Sequence, residues 1–364
     1  MEKKLIVLPE KVLMLHNNDA IVEESKWILD NKNTNFHAFP LSTRRYDFGC
    51  YCGEHECLLW TTREYRTLPY ESTRVFIKSC LTHFMGYMDI QTFDDVDLKK
   101  FKLNENAHEY EITLKIDIND HPSFEVHGRT VEQIVNMPKY CKKVLRGNSD
   151  DKKFPVIGFY DKYSFICVWN QVDKEYKFLE SWGGQWGQPM CISFAKDKPE
   201  FGHVAEEILG KHGKFVVDDF MSFMCRAKKL PTDKPGTYFS ITSDNDHSIL
   251  IEFDNFDGTK KAATPEFLMA LLLKEHIKAI KNEIGEKPSK INFCFLDKFN
   301  LQDRQQIAKC LKKSCKFLQM EEYAFFHNRD VYVNIRLPCW KKRWHFRRHK
   351  YFGQYKSRFF YMKT

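Results

Sequence analysis

Four side chains with metal-ligand chemistry crowd one short stretch. Cys50, Cys52, His55 and Cys57 fall within eight positions of GCYCGEHEC, residues 49–57, between glycines that permit tight turns. Thiolate and imidazole are the donors Zn²⁺ prefers. Structural zinc sites usually draw two ligand pairs from separated segments, so free thiols in a turn are the alternative reading. A second concentration lies at the C-terminal end, where residues 340–364 interleave nine Lys or Arg with nine aromatics. Lys341, Lys342, Arg343, Arg347, Arg348 and Lys350 could neutralise phosphates while Trp344 stacks on an unpaired base. The same composition suits an anionic membrane surface, an acidic partner or a nuclear-import signal. WGGQWGQP, residues 182–189, has the composition of a flexible binding loop displaying Trp182 and Trp186. His121, His203 and His247 have no Ser, Cys or Asp pattern beside them, so no nucleophilic triad is read.

The elements that must carry these groups read as α/β. Between Pro265 and Ile284, Leu268, Leu271, Leu272, Leu273, Ile277 and Ile280 recur at helical spacing, while Lys274, Glu275, Lys278 and Lys281 face away. Thr264 is a candidate N-cap, Pro265 suits the first turn, and Gly285 stands where a left-handed C-cap is wanted. Ile291, Phe293 and Phe295 alternate as a strand; Asn300 opens a loop and Arg304 is expected to start the next helix. Thr130 and Gln133 form a capping-box pattern before another helix. Asp257-Gly258 reads as a turn between two alternating strands.

Length and composition bound the class. The chain has 364 residues, 43% hydrophobic and 29% charged, which are globular values for about two domains. Removing the nine positive charges of 340–364 from the net +8 leaves about −1 over residues 1–339. Twelve scattered cysteines imply free thiols in a reducing compartment, hence a cytoplasmic or nuclear protein. No run approaches the roughly 18–20 apolar residues of a membrane helix.

The segment from Pro265-Glu266 through Ile284-Gly285 to Phe299-Asn300 and Arg304-Gln305 resembles part of the ATPase domain of the seventy-kilodalton heat-shock chaperones. The resemblance extends over about 154–310: FPVIGFYDKYSFICVWN takes the place of the opening hairpin, and PEFGHVAEEILGKHGKFVVDDFMSFMCR that of the glycine-containing helix. It implies the first lobe of an actin-like ATPase (ribonuclease H-like) fold, incomplete, in one or two copies. A fainter copy is expected in front, with residues 89–147 echoing 236–285. The expected organisation is 1–150 as the weak first copy and 151–320 as the clearer second. Residues 321–339 are irregular or a single strand (DVYVNIRL, 330–337), and 340–364 form the basic aromatic tail.

The resemblance also assigns a nucleotide site, whose positions have changed. The family's first phosphate turn falls on Gly158–Ser164, about two residues shorter, with Gly158 retained and Tyr160 or Asp161 at the carboxylate position. Gly158, Asp161 and Ser164 are therefore the candidate ATP/Mg²⁺ residues. The family's phosphate-side lysine falls on Met221, and its strand-end proline on Leu296. In the leading copy Lys78 lies near the lysine position, where a lone lysine is most often a solvated surface residue. Positioning and charge neutralisation are the whole of this chemistry, so a pseudo-ATPase is expected. It would act as a protein-interaction module toward co-chaperones or nucleotide-exchange factors, with no required cofactor and a tendency to self-associate. Residual ATP binding and nucleic-acid binding through the tail are the alternatives.

Overall fold

In a computed structural model the described residues are 4–8, 11–16, 36–52, 55–145, 153–225, 238–244, 247, 249–296, 299–320 and 322–327. Strands β1 (Lys4–Leu8), β2 (Lys11–His16) and β3 (Phe36–Pro40) form a small sheet, β1–β2 antiparallel and β2–β3 parallel.

Residues 41–129 build two antiparallel sheets. One has the order β5 (His55–Thr61), β4 (Arg44–Cys52), β7 (Thr82–Asp89) and β8 (Asp95–Lys102). The other has the order β10 (Pro122–Arg129), β9 (Glu109–Ile116) and β6 (Tyr70–Ile77). Alternate residues of both sheets meet in one core, with Tyr46, Phe48, Met85, Tyr110, Ile112 and Leu114 buried. Period-two alternation puts those side chains on inner faces, as in a sandwich.

The strands 109–129 do lead into a helix, but not through the expected cap. Val131 is the N-cap, without a side-chain hydrogen bond. The helix is split into α1 (Glu132–Val135) and α2 (Met137–Val144) at Asn136, because Pro138 is tolerated only in the opening turn of a new helix. The two halves differ in pairing: every described pairing within 41–129 is antiparallel, whereas the later sheet is mixed.

That later sheet follows β13 (Glu175–Phe178), β12 (Tyr163–Asn170), β11 (Val156–Tyr160), β21 (Lys290–Phe295) and β22 (Glu322–His327). β12 runs antiparallel to β11 and β13, while β11, β21 and β22 are mutually parallel. Two-residue strands β14 (Gln188–Pro189), β15 (Ile192–Ser193), β16 (Glu200–Phe201) and β17 (Val216–Val217) follow it, with β14 paired to β12. β18 (Ser240–Thr242), β19 (Leu250–Asp254) and β20 (Lys260–Ala263) make a separate antiparallel sheet, turning at Gly258.

Helices cover both faces. α3 (His203–His212) and α4 (Phe220–Cys225) precede α5 (Pro265–Ile284) and α6 (Leu301–Phe317). Ile157, Phe159, Ile166, Val168, Phe293 and Phe295 face α5 and α6; Val156, Phe165, Cys167, Tyr176 and Cys294 face α2. Such two-sided burial explains why β11, β12 and β21 are almost continuously apolar. Thr264 caps α5, its hydroxyl accepting from the Phe267 N–H at 3.2 Å, and Gly285 ends it at φ 83°. α6 begins three residues before Arg304, because the Asn300 side chain accepts the Asp303 N–H at 2.9 Å. Residues 330–337 and 340–364 lie outside the described residues.

Candidate functional site

The candidate phosphate turn is the β11–β12 hairpin. Tyr160 pairs with Tyr163, so only Asp161 and Lys162 form the turn, with Asp161 at φ 47°. Gly158 lies inside β11, and what it admits is a helix. A Cβ there would stand 2.7 Å from Met137 Sδ and 3.2 Å from Leu296 Cδ1. Glycine lets α2 close on the sheet here, and the thioether fills the approach to the strand. Lys162 donates to Asp218 Oδ2 at 2.6 Å, and that carboxylate raises the ammonium's pKa. Met221, which the resemblance sets at a lysine position, is buried in the opposite core.

Ser164 joins neither Gly158 nor Asp161. It is fully buried on β12, 2.9 Å from His276 Nε2, and His276 comes from the inner face of α5. The Leu272 carbonyl, 2.7 Å from His276 Nδ1, can only accept, so Nδ1 carries the proton and Nε2 accepts from Ser164 Oγ. Trp182 Nε1–H then donates to the same Oγ at 3.2 Å, and its ring lies 4.2 Å from the imidazole. The pair has the members of a Ser–His nucleophile. However, both side chains are wholly covered, and burial pulls His276 down to about 4. What the geometry performs is anchoring: one hydroxyl ties β12, α5 and the 180–187 loop together. His276 was missed from sequence. Its signal was a polar residue inside the apolar stripe of Leu272, Leu273, Ile277 and Ile280.

The tryptophan loop is held, not displayed. Trp182 and Trp186 are half-buried in two successive 3₁₀ turns, 180–182 and 184–186. Gly183 joins them at φ 77°, and a Cβ on it would stand 2.4 Å from the Gly187 carbonyl oxygen. From the first half of the chain, His108 Nε2 donates to the Gln185 carbonyl at 2.8 Å, its Nδ1 accepting from Val131 N–H at 2.9 Å. Lys78 Nζ donates to the Trp186 carbonyl at 2.5 Å and sits 4.6 Å above the Tyr163 ring. Lys78 is only 7% exposed, not a solvated surface residue, and burial lowers it to about 8.

Beside this loop runs a groove of about 1470 Å³ along the outer edge of β13. One wall is α2 with Lys139, Lys142 and Lys143, joined by Lys153; the other is the last turn of α5 with Glu283 and, just past its Gly285 cap, Glu286. Trp169 and Tyr176 form part of its floor, and Lys153 Nζ lies 5.7 Å from the Trp169 ring centroid.

The thiol stretch forms the β4–β5 hairpin. Cys50 and Cys57 are cross-strand partners, as are Cys52 and His55. The Cys50 and Cys52 sulfurs are 3.8 Å apart, Cys57 Sγ is 3.2 Å from Tyr238 Oη, and the His55 ring stacks on Tyr238 at 5.9 Å. The contact with Cys50 and burial push the Cys52 thiol far up, and burial also raises Cys57. Among the described residues no three His, Cys, Asp or Glu side chains converge as a metal-holding group. Also among them, no helix is long and apolar enough to cross a membrane. Lys341, Lys342, Arg343, Trp344, Arg347, Arg348 and Lys350 lie outside the described residues.

Comparison with protein-family models and with curated proteins finds no match for this chain.

Proposed function

We propose that this chain is a non-catalytic relative of the chaperone ATPase first lobe, acting as a protein-interaction module. The order β13-β12-β11-β21-β22, with only β12 reversed, supports the ribonuclease H-like part of that reading. The observation that carries the loss of catalysis is the two-residue β11–β12 turn, with its approach closed by Met137. The Met137 thioether lies against Gly158, where the family's phosphate turn needs open backbone. A phosphate-binding loop works by presenting several backbone N–H groups in a concave nest. Here a two-residue turn leads straight into a paired strand, and Tyr163 and Ser164 are buried.

Proteins that lose such chemistry keep a folded surface, and the surface is what partners read. The resemblance implies co-chaperones and nucleotide-exchange factors as partners. Two measurements test the proposal. Calorimetric titration with Mg-ATP is expected to give no saturable heat. A pull-down with purified exchange factors is expected to retain them, and retention no better than an unrelated α/β protein removes that partner class.

A further inference from the structure

The groove beside β13 has an asymmetry that specifies an occupant. β13 is the terminal strand of its sheet, and among the described residues its four-residue outer edge has no backbone partner. An open edge pairs with extended backbone unless charge or cover prevents it. Charge is present here, but sorted by face. Tyr176 packs with the α2 face of the sheet, whereas Lys177 is registered opposite Val168, which packs with the α5 face. The α2 face carries Lys139, Lys142, Lys143 and Lys153; the α5 face carries Glu283 and Glu286, with Lys177 already paired to Asp173. Among the described residues, Lys139, Lys142, Lys143, Glu283 and Glu286 make no ion pair.

A strand added to β13 sends successive side chains to opposite faces, about 6.7 Å separating those on one face. Exposed lysines one helical turn apart, at about 5.4 Å, approximate that spacing. We propose that the β13 edge is a docking site for an extended protein segment in which acidic and basic residues alternate. The acidic set meets the α2 lysines and the basic set meets the α5 glutamates, while backbone hydrogen bonds hold the strand in place. Uniformly acidic chains and nucleic acid meet repulsion from the glutamate wall. This inference rests on reading the chain as an interaction module and names the partner's chemistry.

The test uses the full chain and two fluorescein-labelled dodecapeptides of identical composition, one alternating Glu-Lys and one with six Glu followed by six Lys. Fluorescence anisotropy is expected to give about tenfold tighter binding for the alternating peptide, from about three aligned charge pairs of modest strength each. The triple variant Lys139→Glu, Lys142→Glu, Lys143→Glu should lose that preference. Adding Glu283→Lys and Glu286→Lys should restore it, because a one-residue slip exchanges the faces of the peptide. Circular dichroism checks that these surface variants fold. Equal affinity for both peptides, tighter binding of a single-stranded oligonucleotide, or a triple variant with unchanged preference overturns the proposal. Mg-ATP titration decides the underlying reading separately.

Discussion

Gly158→Ala gives a sharp test of why a glycine stands in β11. The new Cβ would meet Met137 Sδ at 2.7 Å and Cε at 2.8 Å, with Leu296 Cδ1 at 3.2 Å. Overpacking of this kind costs about 1–3 kcal/mol. Removing a strand glycine returns about 0.5–1 kcal/mol of backbone entropy. The Met137 atoms are the flexible end of a side chain and yield in part, so the net loss should be about 1 kcal/mol. Met137→Ala alone empties a fully buried position and should cost about 2–3 kcal/mol. The double variant should then be no less stable than Met137→Ala, because the clash has gone, giving a coupling of at least about 1 kcal/mol. Urea unfolding followed by tryptophan fluorescence measures all four corners of the cycle. Simple additivity, within about 0.5 kcal/mol, would mean that Met137 does not occupy the Gly158 surface, and the sealed-site argument would fail.

His276 sets a pH dependence. Its folded pKa of about 4 lies below the ordinary 6.5, so the unfolded chain binds the extra proton. Stability should therefore fall as pH drops from about 6.5 to 4, by about 3 kcal/mol from this group. His276→Gln should be less stable at pH 7 yet flatter across that window; His83, also lowered to about 4 by burial, and His108, lowered by burial too, keep slope of the same sign. Thr264→Ala should cost about 1 kcal/mol in thermal or urea unfolding through loss of the α5 cap. In the folded protein at neutral pH, iodoacetamide should label half-exposed Cys57 slowly and leave buried Cys50 and Cys52 unlabelled, as read by peptide mass mapping. Rapid labelling of Cys52 would contradict the packing of the β4–β5 hairpin.

How legible each part was depends on how local its determinants are. α5 was readable to the residue because its cap, its first-turn proline and its C-terminal glycine sit in consecutive sequence, and its stripe repeats at helical spacing. β21 was readable from the alternation of Ile291, Phe293 and Phe295, whereas the β11–β12 hairpin was expected only from the resemblance. The sandwich of 41–129 was not, since β6 pairs with β9 across some forty residues, Tyr70 opposite Ile116, and no local signal sets that register. The Thr130 box failed because β10 and α1 are joined through Val131, which is buried and pinned by His108. Burial also reversed the expectations at Lys78 and the tryptophan loop: carbonyls of Gln185 and Trp186 become partners only once the two halves of the chain meet. For the candidate nucleotide site, the changed positions came from the resemblance alone. That α2 packs against Gly158 depends on the fold.

The most direct measurement is calorimetric titration of the full chain with Mg-ATP, repeated with Met137→Ala. With Met137 against Gly158 and a two-residue turn, no saturable heat is expected for the natural sequence. None is expected for the variant either, because the two-residue turn supplies no nest of N–H donors. Saturable binding by the natural chain, with displacement by ADP, would contradict the account at its centre.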